Sequence, residues 1–244
     1  MIAGNPVAAR VYSRLGFARV AGTNCWYVNV FDGRTPEEWM ADTFAKARTT
    51  PSSGESAIAV QPGSPAARTQ MVPLLHSPHD DIVLDATLKL FSTRRAVQDS
   101  CGGLFPRFAA LVDERWGTGP HAPPGVDDGQ YFAAFAGSTL VGLSSAVVRG
   151  STCGVDGFIH RLWRDEWSRL IAAAEEWATA RGCVELLAVV PTEDAEKMGR
   201  FVALGFGEGT SSRSGPIELA AGIANEPQVL ATAALRKPLR LAAL

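Results

Sequence analysis

Apolar residues in this chain follow two spacings, one helical and one alternating, and the switches between them divide it into elements. Val7, Val11 and Leu15 recur every four residues with Ala8 beside them, and Pro6 suits a first helical turn. Residues 5–15 therefore predict a helix, stopped by Gly16. Ala18–Ala21 and Cys25–Phe31 predict strands, the second rich in aromatic and β-branched residues. Thr35-Pro36-Glu37-Glu38 carries a capping Thr, Pro at the first helical position and Glu three residues after the cap, which predicts a short helix to about Lys46. Thr49–Ser56 has the composition of a flexible linker.

A second unit is predicted from Ala57. Ile58–Val60 reads as a strand, and Ser64 caps a helix running to about Leu75. His76–Asp81 reads as a polar turn, although its two histidines and two aspartates superficially resemble a metal cluster. Residues 82–117 read as mostly helical with a break near Cys101, and Pro120–Gly129 as a loop. Tyr131–Ala136 and Thr139–Val148 predict a hairpin about Gly137-Ser138, and Cys153–Ile159 a third strand. Trp163, Trp167, Leu170, Ile171, Ala174, Trp177 and Ala178 fall on one face of a helix predicted over Trp163–Ala180. The strand Val184–Val190, a late helix and the strand Val229–Leu235 complete the order. This order predicts an α/β fold: a mixed, mostly antiparallel sheet flanked by helices, with one strand-helix-strand crossover.

Composition narrows the partners more than the fold. A formal net charge of −2 over 244 residues gives no reason to expect nucleic acid or an anionic membrane. The four cysteines form no C-x-x-C pair, which fits a reducing cytoplasmic setting and no zinc site. No apolar run reaches membrane-span length and no secretion-signal pattern opens the chain.

The most informative motif occurs twice. Superposing Leu15-Gly16-Phe17 on Leu204-Gly205-Phe206 places Asn5 on Asp194 and Tyr12 on Phe201. The first copy has an amide and a phenol where the second has a carboxylate and a bare ring, and only the phenol can donate a proton. Together with the element order, the stretch Ile58–Arg68 and the stretch Glu175–Gly182 before a buried strand, this motif resembles the GCN5-related N-acetyltransferase (GNAT) superfamily. The resemblance covers residues 56–244 as one nearly complete domain and 1–33 as the tail of another, with 34–55 as a linker. It implies a tandem protein with a truncated, formerly catalytic N-terminal copy and a degenerate second copy.

It also implies an acyl-CoA-dependent N-acyltransferase, acetyl-CoA as co-substrate, a small amine as acceptor and no metal. In the family, CoA lies in a V-shaped split between two central strands, with its pyrophosphate on the N-terminus of the central helix, where free N–H groups and the positive dipole end bind anions. Carried to this chain, Tyr12 protonates the departing thiolate, and Asp156 and Glu185 are the candidate bases. Asn5, Phe158, Ile159, Arg161 and Arg164 lie beside the cofactor. Asn5 has a second reading as a helix cap, and Arg161 and Arg164 as a solvated helix start. The family's phosphate loop is absent: Leu162, Asp165 and Trp167 occupy its Gln/Arg and two Gly positions. An alternative follows, a non-catalytic GNAT-like domain that acts as a scaffold, dimerisation or ligand-binding module. For residues 1–33, packing on a GNAT-like sheet of their own chain or of a second copy is expected.

Overall fold

Seven strands of this chain form one twisted sheet, and a single parallel pair in it sets the geometry of everything around it. The computed structural model describes residues 6–19, 26–30, 32–49, 57–64, 67, 70–71, 73–74, 77, 83–85, 90–91, 127–208, 217–219 and 228–239. In chain order the elements are α1 (Pro6–Arg14), β1 (Ala18–Arg19), β2 (Trp26–Tyr27), α2 (Pro36–Thr49), β3 (Ala59–Pro62), β4 (Val83–Asp85), β5 (Leu90–Phe91), β6 (Asp128–Ala136), β7 (Thr139–Arg149) and β8 (Thr152–Ile159). A 3-10 helix (Arg161–Glu166) then leads into α3 (Trp167–Ala180), β9 (Glu185–Pro191), α4 (Ala195–Ala203), β10 (Gly207–Glu208), β11 (Ile217–Leu219), β12 (Gln228–Leu230) and β13 (Thr232–Pro238).

The large sheet has the order β10-β13-β9-β8-β7-β6-β3. Its neighbours are antiparallel except β8 and β9, which α3 joins as a crossover. This is the mixed, mostly antiparallel sheet flanked by helices that the pattern predicts.

Central strands are covered on both faces, so β7 is buried from Leu140 to Val148 rather than alternating. On one face, α3 presses Trp167, Leu170, Ile171, Ala174 and Ala178 onto the sheet. Close approach there requires a bare backbone at Gly142: a Cβ would sit 2.8 Å from Leu170 Cδ1 and 3.2 Å from the Phe158 carbonyl. Ser144 Oγ donates to the Leu170 carbonyl at 3.0 Å, which satisfies a buried hydroxyl within the same contact.

Several boundaries depart from expectation. The helix expected over Trp163–Ala180 breaks at Trp163, whose φ of −122° and ψ of 24° are not helical. His160 Nδ1 accepts from the Leu162 amide at 3.3 Å and starts a separate 3-10 turn. His160 itself is buried, stacked on Phe44 at 4.1 Å, not facing solvent. Strands β4 and β5 stand where helix was expected; of the rest of 82–117, nothing falls among the described residues. His76, His79, Asp80 and Asp81 also lie outside them, and among the described residues no group of metal-ligating side chains gathers. Of the strand expected at Cys25–Phe31, Trp26 and Tyr27 form β2, paired with Arg19 and Ala18, and Val28, Asn29 and Val30 are not strand; Cys25 and Phe31 lie outside the described residues.

The connecting helix α2 is part of the core. Its capping box forms: the Thr35 amide donates to Glu38 Oε2 at 2.8 Å, and the Glu38 amide donates to Thr35 Oγ1 at 3.2 Å. Met40, Phe44 and Ala47 are buried in the same hydrophobic cluster as the sheet. By contrast α1 buries no residue, and Val7, Val11 and Leu15 are exposed. Cys153 and Cys183 are buried free thiols, and burial pushes the Cys183 thiol above its ordinary range. Among the described residues no helix is long and apolar enough to cross a membrane.

Two glycines test this packing. A Cβ on Gly63 would lie 1.8 Å from the Tyr131 ring, whose hydroxyl donates to the Ser64 carbonyl at 2.6 Å. Burial pushes the Tyr131 phenol up to about 12, so it stays a donor throughout the neutral range. Gly63→Ala is expected to cost more than Gly142→Ala, the latter about 1–3 kcal/mol by overpacking. Urea midpoints of the two variants check the order.

Candidate functional site: the split between two central strands

The parallel pair does not run its full length. Thr152, Cys153 and Gly154 pair with Glu185, Leu186 and Leu187, and there the ladder ends, although β8 continues to Ile159 and β9 to Pro191. The strands diverge into a split. The His160 amide donates to the Val141 carbonyl, so even-numbered residues of β8 bond to β7 and odd-numbered ones turn their backbone groups towards the split. Gly157 is the odd residue at its centre.

Both backbone groups of Gly157 are bonded by side chains of this chain. Its amide donates to Asp156 Oδ1 at 2.7 Å, and its carbonyl accepts from the Trp167 indole Nε1 at 3.0 Å. Side-chain direction explains why two helices meet here. A Cβ on Gly157 would point at Ile171 and Trp167 of α3, so odd residues of β8 face α3 and Asp156 faces the opposite side. There Lys197 of α4 meets it: Nζ lies 2.5 Å from Asp156 Oδ1, with the two side chains 0% and 3% exposed. Helices α3 and α4 thus lie on opposite faces, yet Trp167 and Phe201 touch edge to face with ring centroids 4.9 Å apart. They make that contact through the split. The Arg200 guanidinium lies 5.3 Å from the Trp167 ring centroid, and Phe206 packs on Phe201 at 5.0 Å.

The leading amide at the N-terminus of α3 is engaged as well. Its first amide, that of Trp167, donates to the Arg164 carbonyl of the preceding 3-10 helix, and Glu166 stands at the cap. Acid at a helix start is favourable on its own account but competes with a phosphate for the same dipole. Arg164, an expected cofactor cation, pairs with Glu196 of α4 at 2.9 Å. Arg161 is exposed at the head of the 3-10 helix.

The remaining candidates fall apart in space and in kind. Glu185 sits at the paired end of the split. It accepts from Thr152 Oγ1 at 2.8 Å and pairs with Arg236, and these two partners hold its carboxyl below the usual range. Asp156 is buried against Lys197. Phe158 and Ile159 are core residues, 1% and 3% exposed. Tyr12 is half-buried on α1, its ring 5.8 Å from Phe17 and 6.4 Å from Trp26. Asn5 lies outside the described residues; its counterpart Asp194 caps α4 by accepting from the Lys197 amide at 3.0 Å. Lys197 escaped the sequence reading because its neighbours on α4 read as a surface face. One signal was available: the aligned position in the first copy is Ala8.

A CoA arm does not fit the residues present. It needs backbone partners along β8 and open amides at the α3 N-terminus. The Gly157 carbonyl is taken by Trp167, the Gly157 amide by Asp156, and the leading amide of α3 by Arg164.

No protein-family model matches the chain, and no curated protein matches it. Solved structures do. They include the acetyltransferase of GNAT family from Streptococcus pneumoniae, at 16% identity and TM-score 0.52, covering 75% of this chain and 99% of that one. A probable acetyltransferase from Staphylococcus epidermidis matches at 12% identity and TM-score 0.53, with coverage of 75% and 99%. An N-acetyltransferase from Staphylococcus aureus matches at 13% identity and TM-score 0.52, with the same coverage. The chain has the fold of GNAT acetyltransferases.

Two predictions follow from the ionic contacts. Lys197→Met leaves a buried carboxylate uncompensated and is expected to cost about 3–5 kcal/mol; adding Asp156→Asn should recover part of it in urea titrations. Glu185 has a depressed pKa, so its contribution is present above the ordinary glutamate value of about 4.3 and is lost as pH falls through its lower folded value. Glu185→Gln should therefore reduce stability at pH 7, by about 1 kcal/mol after allowance for its partial exposure, and flatten the acid limb of the stability–pH curve.

Proposed function

We propose that residues 56–244 form a non-catalytic unit on the fold of acyl-CoA-dependent N-acyltransferases, serving as a scaffold or interaction module. On this reading, any N-acetyl transfer from acetyl-CoA to a small amine in this protein belongs to the unit that contains Tyr12. The observation that carries it is the indole of Trp167 on the Gly157 carbonyl. An active site of this fold needs that stretch of β8 for its co-substrate, and here it is a buried core contact. Phe201, at 0% exposure, supports the same reading, since a benzyl group offers no proton to a leaving thiolate.

One observation favours the second reading, an active N-acyltransferase within residues 56–244. The split itself persists: β8 and β9 separate after Gly154 and Leu187, as a cleft for an extended ligand requires. The deciding measurement is thermal unfolding of the full chain with and without acetyl-CoA. A ligand at a hundred times its dissociation constant adds about 2.7 kcal/mol to stability. No shift is expected up to millimolar acetyl-CoA. A shift that persists in Tyr12→Phe and disappears on altering Trp167 would overturn the proposal.

A further inference from the structure

The split is filled from both faces, and its fillings belong together. Trp167 enters from α3 and donates to Gly157; Phe201 meets it from α4; Asp156 and Lys197 form a buried pair on the α4 side; Arg164 and Glu196 bridge the 3-10 helix to α4. The first contact joins β8 to α3, and the other three reach α4, which follows β9. A diverging strand pair has lost the ladder that would otherwise hold its two arms together. Something else must bond the backbone groups and bridge the gap.

We propose that Trp167 is a built-in ligand: its indole occupies the β8–β9 split in place of an extended, amide-bearing thiol arm, and the Asp156–Lys197 pair locks the arms around it. The cleft is thus a binding site held by the chain's own side chain. The geometry meets three requirements of such a replacement. The indole supplies an N–H to the same carbonyl that an extended amide would use. Its ring spans the sheet from one face to a residue on the other. The residues that receive it differ from those of the repeated motif in the same chain, where Ala8 and Tyr12 align with Lys197 and Phe201.

This rests on reading residues 56–244 as non-catalytic, and the test separates the two. Wild type, Trp167→Gly and Trp167→Leu are melted alone, with pantetheine, with acetyl-CoA and with indole. Wild type is expected to respond to none of them; an acetyl-CoA shift in wild type that persists in Tyr12→Phe overturns the functional reading. Trp167→Gly is expected to melt lower and to recover about 5 °C with pantetheine at a hundredfold excess over its dissociation constant. Recovery with indole alone marks a plain core cavity and overturns the built-in ligand while leaving the functional reading intact. No recovery with either compound overturns it too. If Trp167→Gly does not fold, Trp167→Leu decides: its smaller side chain vacates part of the split and removes the N–H, and pantetheine must stabilise it for the proposal to stand.

Discussion

The separation of β8 from β9 is the constraint on which the rest of this structure depends. A parallel pair that parts after three residues leaves backbone donors and acceptors facing a gap inside the protein. Each such group carries a desolvation penalty of about 1–3 kcal/mol if left without a partner. The chain meets that demand with side chains. Asp156 serves the Gly157 amide, Trp167 serves the Gly157 carbonyl, and the charge brought in by Asp156 is balanced by Lys197. Each choice makes the next one necessary, so the contacts form one dependent set rather than three separate features.

That dependence sorts the residues by the kind of interaction they make. The α3 face is held by shape: Gly142 and Gly157 let the helix approach, and Leu170 and Ile171 fill the space. The α4 face is held by charge and aromatic edges. A buried ion pair contributes little net stability relative to an apolar pair of the same shape, because two charges must leave water to form it. What it contributes is position: Lys197 can meet Asp156 only with α4 in one register, and that register also brings Phe201 to Trp167.

Much of this was legible in the sequence, and the limits have physical causes. Strand-type runs about the Gly137-Ser138 turn find the hairpin, and helical spacing finds the crossover helix and the late helix because each buries one face against the sheet. The repeated Leu-Gly-Phe motif and the element order point to the fold. The break at Trp163 was not legible, because the apolar stripe runs unbroken through it while the start of α3 is decided by a histidine cap and a 3-10 turn. The place of α2 in the core was hidden by its modest pattern: only Met40, Phe44 and Ala47 face inward. Lys197 and Asp156 lie 41 positions apart by their numbering, and no local pattern links a lysine on one helix with an aspartate on a strand.

On the proposed non-catalytic reading, Trp167 and Phe201 stand where the GNAT resemblance places a glycine and a tyrosine, and the same physics couples them. Phe201 is 0% exposed, with Trp167 and Phe206 edge-on to it at 4.9 and 5.0 Å. A phenol buried among these rings would need a hydrogen-bond partner, and failing to find one costs more than the hydroxyl contributes elsewhere. Once an indole fills the split, a tyrosine at 201 loses the water or ligand that would bond its hydroxyl, and phenylalanine becomes the better residue. Tyr12 stands under different conditions: it is only half-buried, with the rings of Phe17 and Trp26 beside it. On that reading, an indole in the split and a bare ring at position 201 are two parts of one packing arrangement.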